Sequence, residues 1–133
     1  MQGDGTAAAR TGPSVVSGSL RGEMNEAEVV NAVSSLALPF GLRRYHVGGV
    51  MFLAQRDSAL LADDMGLGKT VQCIVAISAL EKLAVLRRVL LVVPKSLRQN
   101  WKREFDVWAP GLRTRLVEGS RSSRGAQYLR CSR

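Results

Sequence analysis

Eight consecutive residues near the middle of the chain have the types and spacing of a loop that binds phosphate groups. They are Asp63, Asp64, Met65, Gly66, Leu67, Gly68, Lys69 and Thr70. The two glycines allow backbone N–H groups to approach phosphate oxygens with no side chain in the way. The lysine can reach the β- and γ-phosphates, and the threonine hydroxyl can ligate Mg²⁺. This stretch therefore predicts a site for a nucleoside triphosphate with Mg²⁺.

The context of these residues decides how much the motif means. The strict pattern G-x-x-x-x-G-K-[ST] has a glycine where this chain has Asp63, and a short G-x-G-K-T stretch alone is a weak signal. A phosphate loop follows a strand and opens a helix, whose N-terminal N–H groups and dipole attract anions. The apolar run before the loop predicts a strand over about residues 58–62, and the periodicity after it predicts a helix over about 69–83. The alternative is a structural turn that contains a lysine.

The elements around the loop alternate between helix and strand. Asn25 with Glu28, and Ser96 with Gln99, have the spacing of capping boxes that open helices. The apolar run 89–93 is typical of a strand buried on both faces of a parallel sheet. Helices are predicted over about 25–36, 43–55, 69–83 and 96–108, and strands over about 58–62, 89–93 and 115–117. This order predicts an α/β fold with a mostly parallel sheet.

Two local features inside the predicted helices have more than one explanation. The Gly48-Gly49 pair weakens its helix by about 1 kcal/mol per glycine, so close packing or a ligand needs the space. The aromatic residues Trp101, Phe105 and Trp108 lie on one side of their helix. That spacing favours packing in the core over stacking on nucleic-acid bases.

Size and composition limit the class of protein. A chain of 133 residues suggests one domain at most, and 46% hydrophobic residues can form a packed core. Two cysteines do not imply a disulfide scaffold, and Cys73 is expected to be a small buried hydrophobe in its helix. No apolar run approaches the roughly 20 residues of a transmembrane helix. The N-terminus lacks the basic start and apolar core of a secretory signal, so an intracellular location is expected.

The charge of the chain is unevenly distributed. Residues 1–86 carry 7 basic and 8 acidic groups, whereas residues 87–133 carry 12 basic groups and 3 acidic ones, giving nets of −1 and +9. Such asymmetry predicts a polyanionic partner for the second half. A solvated basic surface with a disordered tail explains the charge equally well.

Three blocks together resemble the SWI/SNF-type ATPases of helicase superfamily two. Residues 42–50, LRRYHVGGV, are similar to the family segment L-R-x-Y-Q-x-x-G-[VL]. Residues 61–72, LADDMGLGKTVQ, resemble its first motif, L-A-D-E-M-G-L-G-K-T-x-Q, so Asp63 is a family feature. Residues 92–97, VVPKSL, with Trp101, Glu104 and Phe105, are similar to V-x-P-x-S-L followed by W-x-x-E-F. Order and spacing agree across about residues 40–118.

The resemblance implies part of a RecA-like phosphate-loop lobe that binds ATP and Mg²⁺ and contacts double-stranded DNA. Lys69 and Thr70 take the phosphate and magnesium roles. Position 46 contacts adenine in the family, which has glutamine there, so His46 is the candidate here, with its donor and acceptor on a different geometry. The alternative for His46 is a packing role on its partly apolar helix. Lys95, Ser96 and Arg98 are the candidates for the DNA backbone. For Ser96, capping of its helix is an equal alternative.

The family's hydrolytic groups are not found in the sequence. Hydrolysis needs an acidic residue at the metal and a group that orients water, and the family takes both from an Asp-Glu pair after a later strand. The only adjacent acidic pair here is Asp63-Asp64, inside the loop. The sequence is expected to stop midway through the first lobe, before the second lobe that supplies arginines to the γ-phosphate. No catalytic set is complete, so whether the chain is an enzyme is left open.

The sequence thus predicts an ATP-binding part of a DNA-dependent remodelling or translocating ATPase, which binds nucleotide without appreciable hydrolysis. The alternative is a non-catalytic module that binds DNA or a protein through its basic half. A phosphate-loop kinase is disfavoured because no acceptor-site motif follows. A nuclear site is expected in a eukaryote, and the cytoplasm or nucleoid otherwise. The predicted organisation is a disordered segment 1–22, a partial ATP-binding lobe 23–118 and a disordered, polar basic tail 119–133.

Overall fold

The computed structural model describes residues 24–131, and these residues form helices joined by extended segments and turns. The predicted disordered segment 1–22 lies outside the described residues. In chain order the elements are α1 (Glu26–Ser34), α2 (Arg44–Ala54), α3 (Lys69–Lys82), a 3-10 turn (Lys95–Leu97), α4 (Arg98–Trp108) and α5 (Arg121–Cys131).

Local sequence signals explain where the first helices begin and end. Asn25 caps α1 as predicted, because its side chain accepts from the Ala27 N–H at 3.0 Å and its own N–H donates to Glu28 at 3.2 Å. The bounds of α2 and α3 agree with the predicted ranges within one residue. The predicted capping box at Ser96 is wrong, since the 3-10 turn comes first and α4 begins at Arg98 without a side-chain cap.

The predicted α/β fold with a mostly parallel sheet is wrong for the described residues. No strand is present between residues 24 and 131, and all three predicted strands are extended or irregular segments. The run 89–93 is largely exposed, with Val92 88% exposed, and Leu60 before the loop is 82% exposed. A strand exists only when a neighbour supplies its hydrogen bonds, and apolar periodicity cannot say whether such a neighbour lies alongside.

The predicted disordered C-terminal tail is also wrong, because residues 121–131 form α5. Ser120 precedes this helix and its hydroxyl accepts from the Ser123 N–H at 3.2 Å. The Nε2 of Gln127 donates to the Glu118 carbonyl oxygen at 2.7 Å, which links the helix to the segment before it. The cap and this side-chain link supply local order that polar composition did not reveal.

The described core is built around α3, which packs against α1, α2 and α4. Three small apolar clusters each include α3 residues. Leu80 packs with Val29 and Ala54, Val75 and Ala76 pack with Val50, and Ile74 packs with Phe105 and Ala109. Trp101 and Trp108 pack against the third cluster, so the predicted core role of the aromatic stripe is confirmed. The helix that follows the glycine-rich loop is therefore the most firmly held element.

A pair of valine substitutions tests the exposure of the apolar run. Val92→Thr is expected to change the free energy of unfolding by less than about 0.5 kcal/mol, because an exposed valine loses little packing. Val75→Thr makes the same chemical change at a position with no exposure and should cost about 1 to 3 kcal/mol. Urea denaturation measures both. Equal losses at the two sites would contradict the exposed position of residue 92.

Cys73 on α3 provides a pH-dependent prediction. Its side chain is half-buried, and burial raises the pKa of the thiol because desolvation disfavours the thiolate. The folded chain therefore holds this proton more tightly than the unfolded chain. The thiol's stabilising contribution is complete below about pH 8.5, where both states are protonated, and decreases as the pH rises further. The difference in unfolding free energy between the wild type and Cys73→Ala should shrink across that range, and an unchanged difference would contradict the burial of the thiol.

Candidate nucleotide-binding site

The backbone of the candidate loop takes the conformation that its glycines permit. Gly66 has φ of 86° and Gly68 has φ of 68°, in the left-handed region that side chains disfavour. Gly68 is the N-cap residue of α3, so Lys69 and Thr70 begin the helix. The first N–H groups of a helix have no intrahelical acceptor, and α3 begins where the loop ends. A turn leading into a helix N-terminus is thus present at the predicted position.

Lys69 is anchored to the loop that precedes it. Its Nζ donates to the carbonyl oxygens of Asp63 and Asp64, both at 2.8 Å. An ammonium group has three N–H donors, so one remains for a phosphate oxygen. Met65 is 97% exposed at the tip of the loop. The lysine side chain therefore links the first two residues of the loop to the start of α3.

The structure brings His46 against the loop. Its Nε2 lies 2.6 Å from the position that a Cβ on Gly68 would occupy, so a side chain at residue 68 would strike the imidazole. Its Nδ1 accepts from the Arg43 N–H at 3.3 Å, which leaves Nε2 as the donor in the neutral ring. One ring nitrogen thus contributes to the start of α2, and the other faces the glycine turn.

Sequence reasoning missed the role of Gln72, which it noted only as the last letter of a motif. This side chain is completely buried on α3, and its Nε2 donates to Asp63 Oδ2 at 3.0 Å and to the Leu67 carbonyl at 2.9 Å. Gln72 has helical spacing to Val75, Ala76 and Ala79, all of them buried. A polar residue on an apolar helix face needs hydrogen-bond partners in the interior, and this position in the helical pattern could have predicted a buried hydrogen-bonding role for Gln72.

The glycine pair of α2 has two different environments. A Cβ on Gly49 would lie 1.6 Å from Gln72 Oε1, whereas a Cβ on Gly48 would meet nothing within 4 Å. Close packing therefore accounts for Gly49. Both glycines line an open cleft of about 280 Å³ between α2 and the segment before the loop, together with Phe52 and residues 60–63.

The candidate DNA contacts lie in a separate place. Lys95 and Ser96 are exposed in the 3-10 turn. Arg98 is engaged within the chain, because its guanidinium pairs with Glu118 at 3.3 Å and contacts the carbonyl oxygen of Val117 at 3.5 Å. Among the described residues, no hydrogen bond or ion pair joins this turn to the glycine loop.

Family comparison decides the class of the chain. A family model described as the SNF2-related domain matches residues 31–131, which include the end of α1, helices α2 through α5, the loop and the 3-10 turn. The chain belongs to the SNF2-related domain family. The resemblance to SWI/SNF-type ATPases, which rested on three blocks of sequence, is confirmed. No solved structure matches the chain.

Curated relatives of this SNF2-related domain have names from DNA repair and helicase biology. It is 42% identical over 83 residues to the "DNA excision repair protein ERCC-6-like" of Bos taurus, covering 59% of this chain and 7% of that protein. It is 39% identical over 95 residues to the "ATP-dependent helicase fft1" of Schizosaccharomyces pombe, covering 68% and 10%. It is 37% identical over 116 residues to the "DNA repair and recombination protein RAD54B" of Gallus gallus, covering 76% and 13%. The chain spans at most about an eighth of the length of these relatives.

The described residues lack two features that are typical of other classes of protein. No described helix has both the length and the apolarity to cross a lipid bilayer. No group of three or more His, Cys, Asp or Glu side chains is placed to hold a metal ion among residues 24–131.

Proposed function

We propose that this chain carries the nucleotide-binding loop of an SNF2-related ATPase and binds Mg·ATP through residues 63–70. The observation that carries the proposal is the turn at Gly66 and Gly68, which leads directly into the N-terminus of α3 with Lys69 tied across it. Among the described residues no strand precedes the loop. The left-handed glycines, the helix N-terminus, the lysine and the family membership support the proposal.

The roles within the site follow from the chemistry of each group. Backbone N–H groups at the start of α3 and the third donor of Lys69 would bind phosphate oxygens. The Thr70 hydroxyl would ligate Mg²⁺, which neutralises charge on the phosphates. His46 Nε2 stands beside Gly68, and this proximity to the loop supports its proposed contact with the adenine of the nucleotide.

We further propose that the 133 residues bind nucleotide without appreciable turnover. The sequence holds no adjacent acidic pair other than Asp63-Asp64, which lies inside the loop, and the Asp63 carboxylate there accepts a hydrogen bond from Gln72. Loss of transition-state contacts of this class lowers the rate by about 10³-fold or more. In a complete protein the partner would be double-stranded DNA, and in a eukaryote the site of action would be the nucleus.

A titration of the purified chain with a fluorescent ATP analogue and Mg²⁺ tests the proposal. Saturable binding that Mg·ATP displaces at millimolar concentration is expected, with no phosphate release above background. A folded chain that binds no nucleotide at that concentration would overturn the binding proposal. Phosphate release that duplex DNA stimulates, and that Lys69→Ala abolishes, would overturn the absence of turnover.

A second candidate function is DNA or protein binding through the basic C-terminal half. Helix α5 contains Arg121, Arg124 and Arg130, has no acidic residue and exposes all three arginines. Such a surface favours phosphate backbones, and its DNA affinity should fall steeply with salt. Affinity for duplex DNA that is unchanged in Lys69→Ala but falls in the triple Arg→Gln variant of α5 would favour this candidate.

A further inference from the structure

Gln72 links the two ends of the glycine loop to the helix that follows it. One amide nitrogen donates both to the Asp63 carboxylate, at the start of the loop, and to the Leu67 carbonyl, near its end. Within the loop itself the Leu67 N–H reaches the Asp64 carbonyl only at 3.4 Å. The buried glutamine thus provides shorter bonds across the loop than this internal turn does.

The oxygen of the same amide is in an environment that does not stabilise the fold. Gln72 Oε1 is buried and has no hydrogen-bond partner within the described residues. An unsatisfied buried acceptor is costly, so an apolar side chain of similar size would remove that cost. The two bonds from Nε2 keep the amide in this orientation, because reversal would turn an oxygen toward a carboxylate and a carbonyl.

Gly49 of helix α2 leaves room for the Gln72 amide. Gln72 Oε1 occupies the space that a Cβ at residue 49 would need, since the two positions are 1.6 Å apart. Any side chain there would push the amide away from Asp63 and Leu67. His46 lies one turn earlier on the same helix and contacts the loop at Gly68. The glycine therefore allows α2, the glutamine and the loop to meet.

We propose that Gln72 is a positioning residue that holds the phosphate loop in its binding conformation, and that Gly49 is the position that permits it. This proposal rests on the proposed nucleotide binding by the same loop. Gln72 acts through Asp63 and Leu67, which set the span of backbone that encloses the phosphates. Its loss is expected to leave α3 folded and to loosen the loop.

The first test replaces the amide by an apolar chain of similar length. In Gln72→Met, hydrogen exchange at the Leu67 amide of the nucleotide-free chain should accelerate about tenfold, and Mg·ATP affinity should fall by a similar factor. Global unfolding by urea should change little, because the orphaned acceptor is removed together with the two bonds. Gln99→Met makes the same change at an exposed position of α4 and should alter neither quantity.

The second test uses neighbouring glycines of one helix. Gly49→Ala should reproduce the faster loop exchange and weaker nucleotide binding of Gln72→Met. Gly48→Ala adds the same methyl group where nothing lies within 4 Å, and should leave both loop properties unchanged.

A third variant, Gln72→Glu, places a carboxylate opposite Asp63, and combining it with Asp63→Asn should recover part of the lost affinity by restoring one donor to the pair.

The outcomes distinguish failure of the positioning role of Gln72 from failure of the proposed nucleotide binding. Unchanged Leu67 exchange in both Gln72→Met and Gly49→Ala would overturn the positioning role, whether or not nucleotide binds. Failure of the wild-type chain to bind Mg·ATP, with accelerated exchange in those variants, would overturn the nucleotide function and leave the structural coupling supported. Faster exchange spread evenly over α3 would also overturn the proposal, because it would show a general loss of stability.

Discussion

Replacement of Lys69 by alanine is expected to weaken Mg·ATP binding by roughly 10- to 100-fold. Charge-assisted hydrogen bonds contribute about 1.5 to 3 kcal/mol, and each 1.4 kcal/mol is tenfold in affinity. The variant loses the donor that would meet the phosphates and the two bonds that tie the loop to the helix. Displacement of a fluorescent ATP analogue measures the change.

Lys82 supplies a matched control at the other end of α3. Its Nζ also donates to a backbone carbonyl, that of Ser35, at 3.0 Å, and it lies far along the helix from the loop. Lys82→Ala therefore removes the same charge and a comparable bond without touching the candidate site. Its affinity should match that of the wild type. Equal affinities for Lys69→Ala and the wild type would rule out the proposed role of the lysine.

Ile74→Ala is expected to lower the free energy of unfolding by about 2 to 5 kcal/mol. The side chain has no exposure and packs against Phe105 and Ala109, where α3 meets α4. Truncation removes buried apolar surface and leaves a cavity that neighbouring helices fill only in part. Urea denaturation followed by circular dichroism measures the loss.

Ile77 is the matched comparison for this core position. It has the same side chain on the same helix but is only partly buried at the edge of the cluster. Ile77→Ala should therefore cost less than Ile74→Ala. A larger loss at Ile77 would contradict the deeper burial of Ile74 within this cluster. Because the proposed nucleotide site requires the helix that carries Lys69, an unfolded fraction in Ile74→Ala is expected to reduce the apparent affinity in proportion.

The amino-acid sequence by itself determined the local features of this protein. Capping at Asn25 and the apolar stripe of α3 placed two helices, because these signals act between residues a few positions apart. The order of the three sequence blocks also identified the family that the comparison confirms. The glycine turn was located for the same reason, since left-handed φ is a preference of single residues.

Only the tertiary structure decided the features that depend on distant neighbours. The runs 58–62 and 89–93 have strand-like composition, yet pairing needs a second segment alongside, which residues 24–131 do not provide. Similarly, nothing local indicates that Gly49 and Gln72 share one space, because 23 positions separate them and only the packing of α2 on α3 joins them. Preferences of single residues act over a turn of chain, whereas sheet pairing and buried polar contacts depend on which distant surfaces meet.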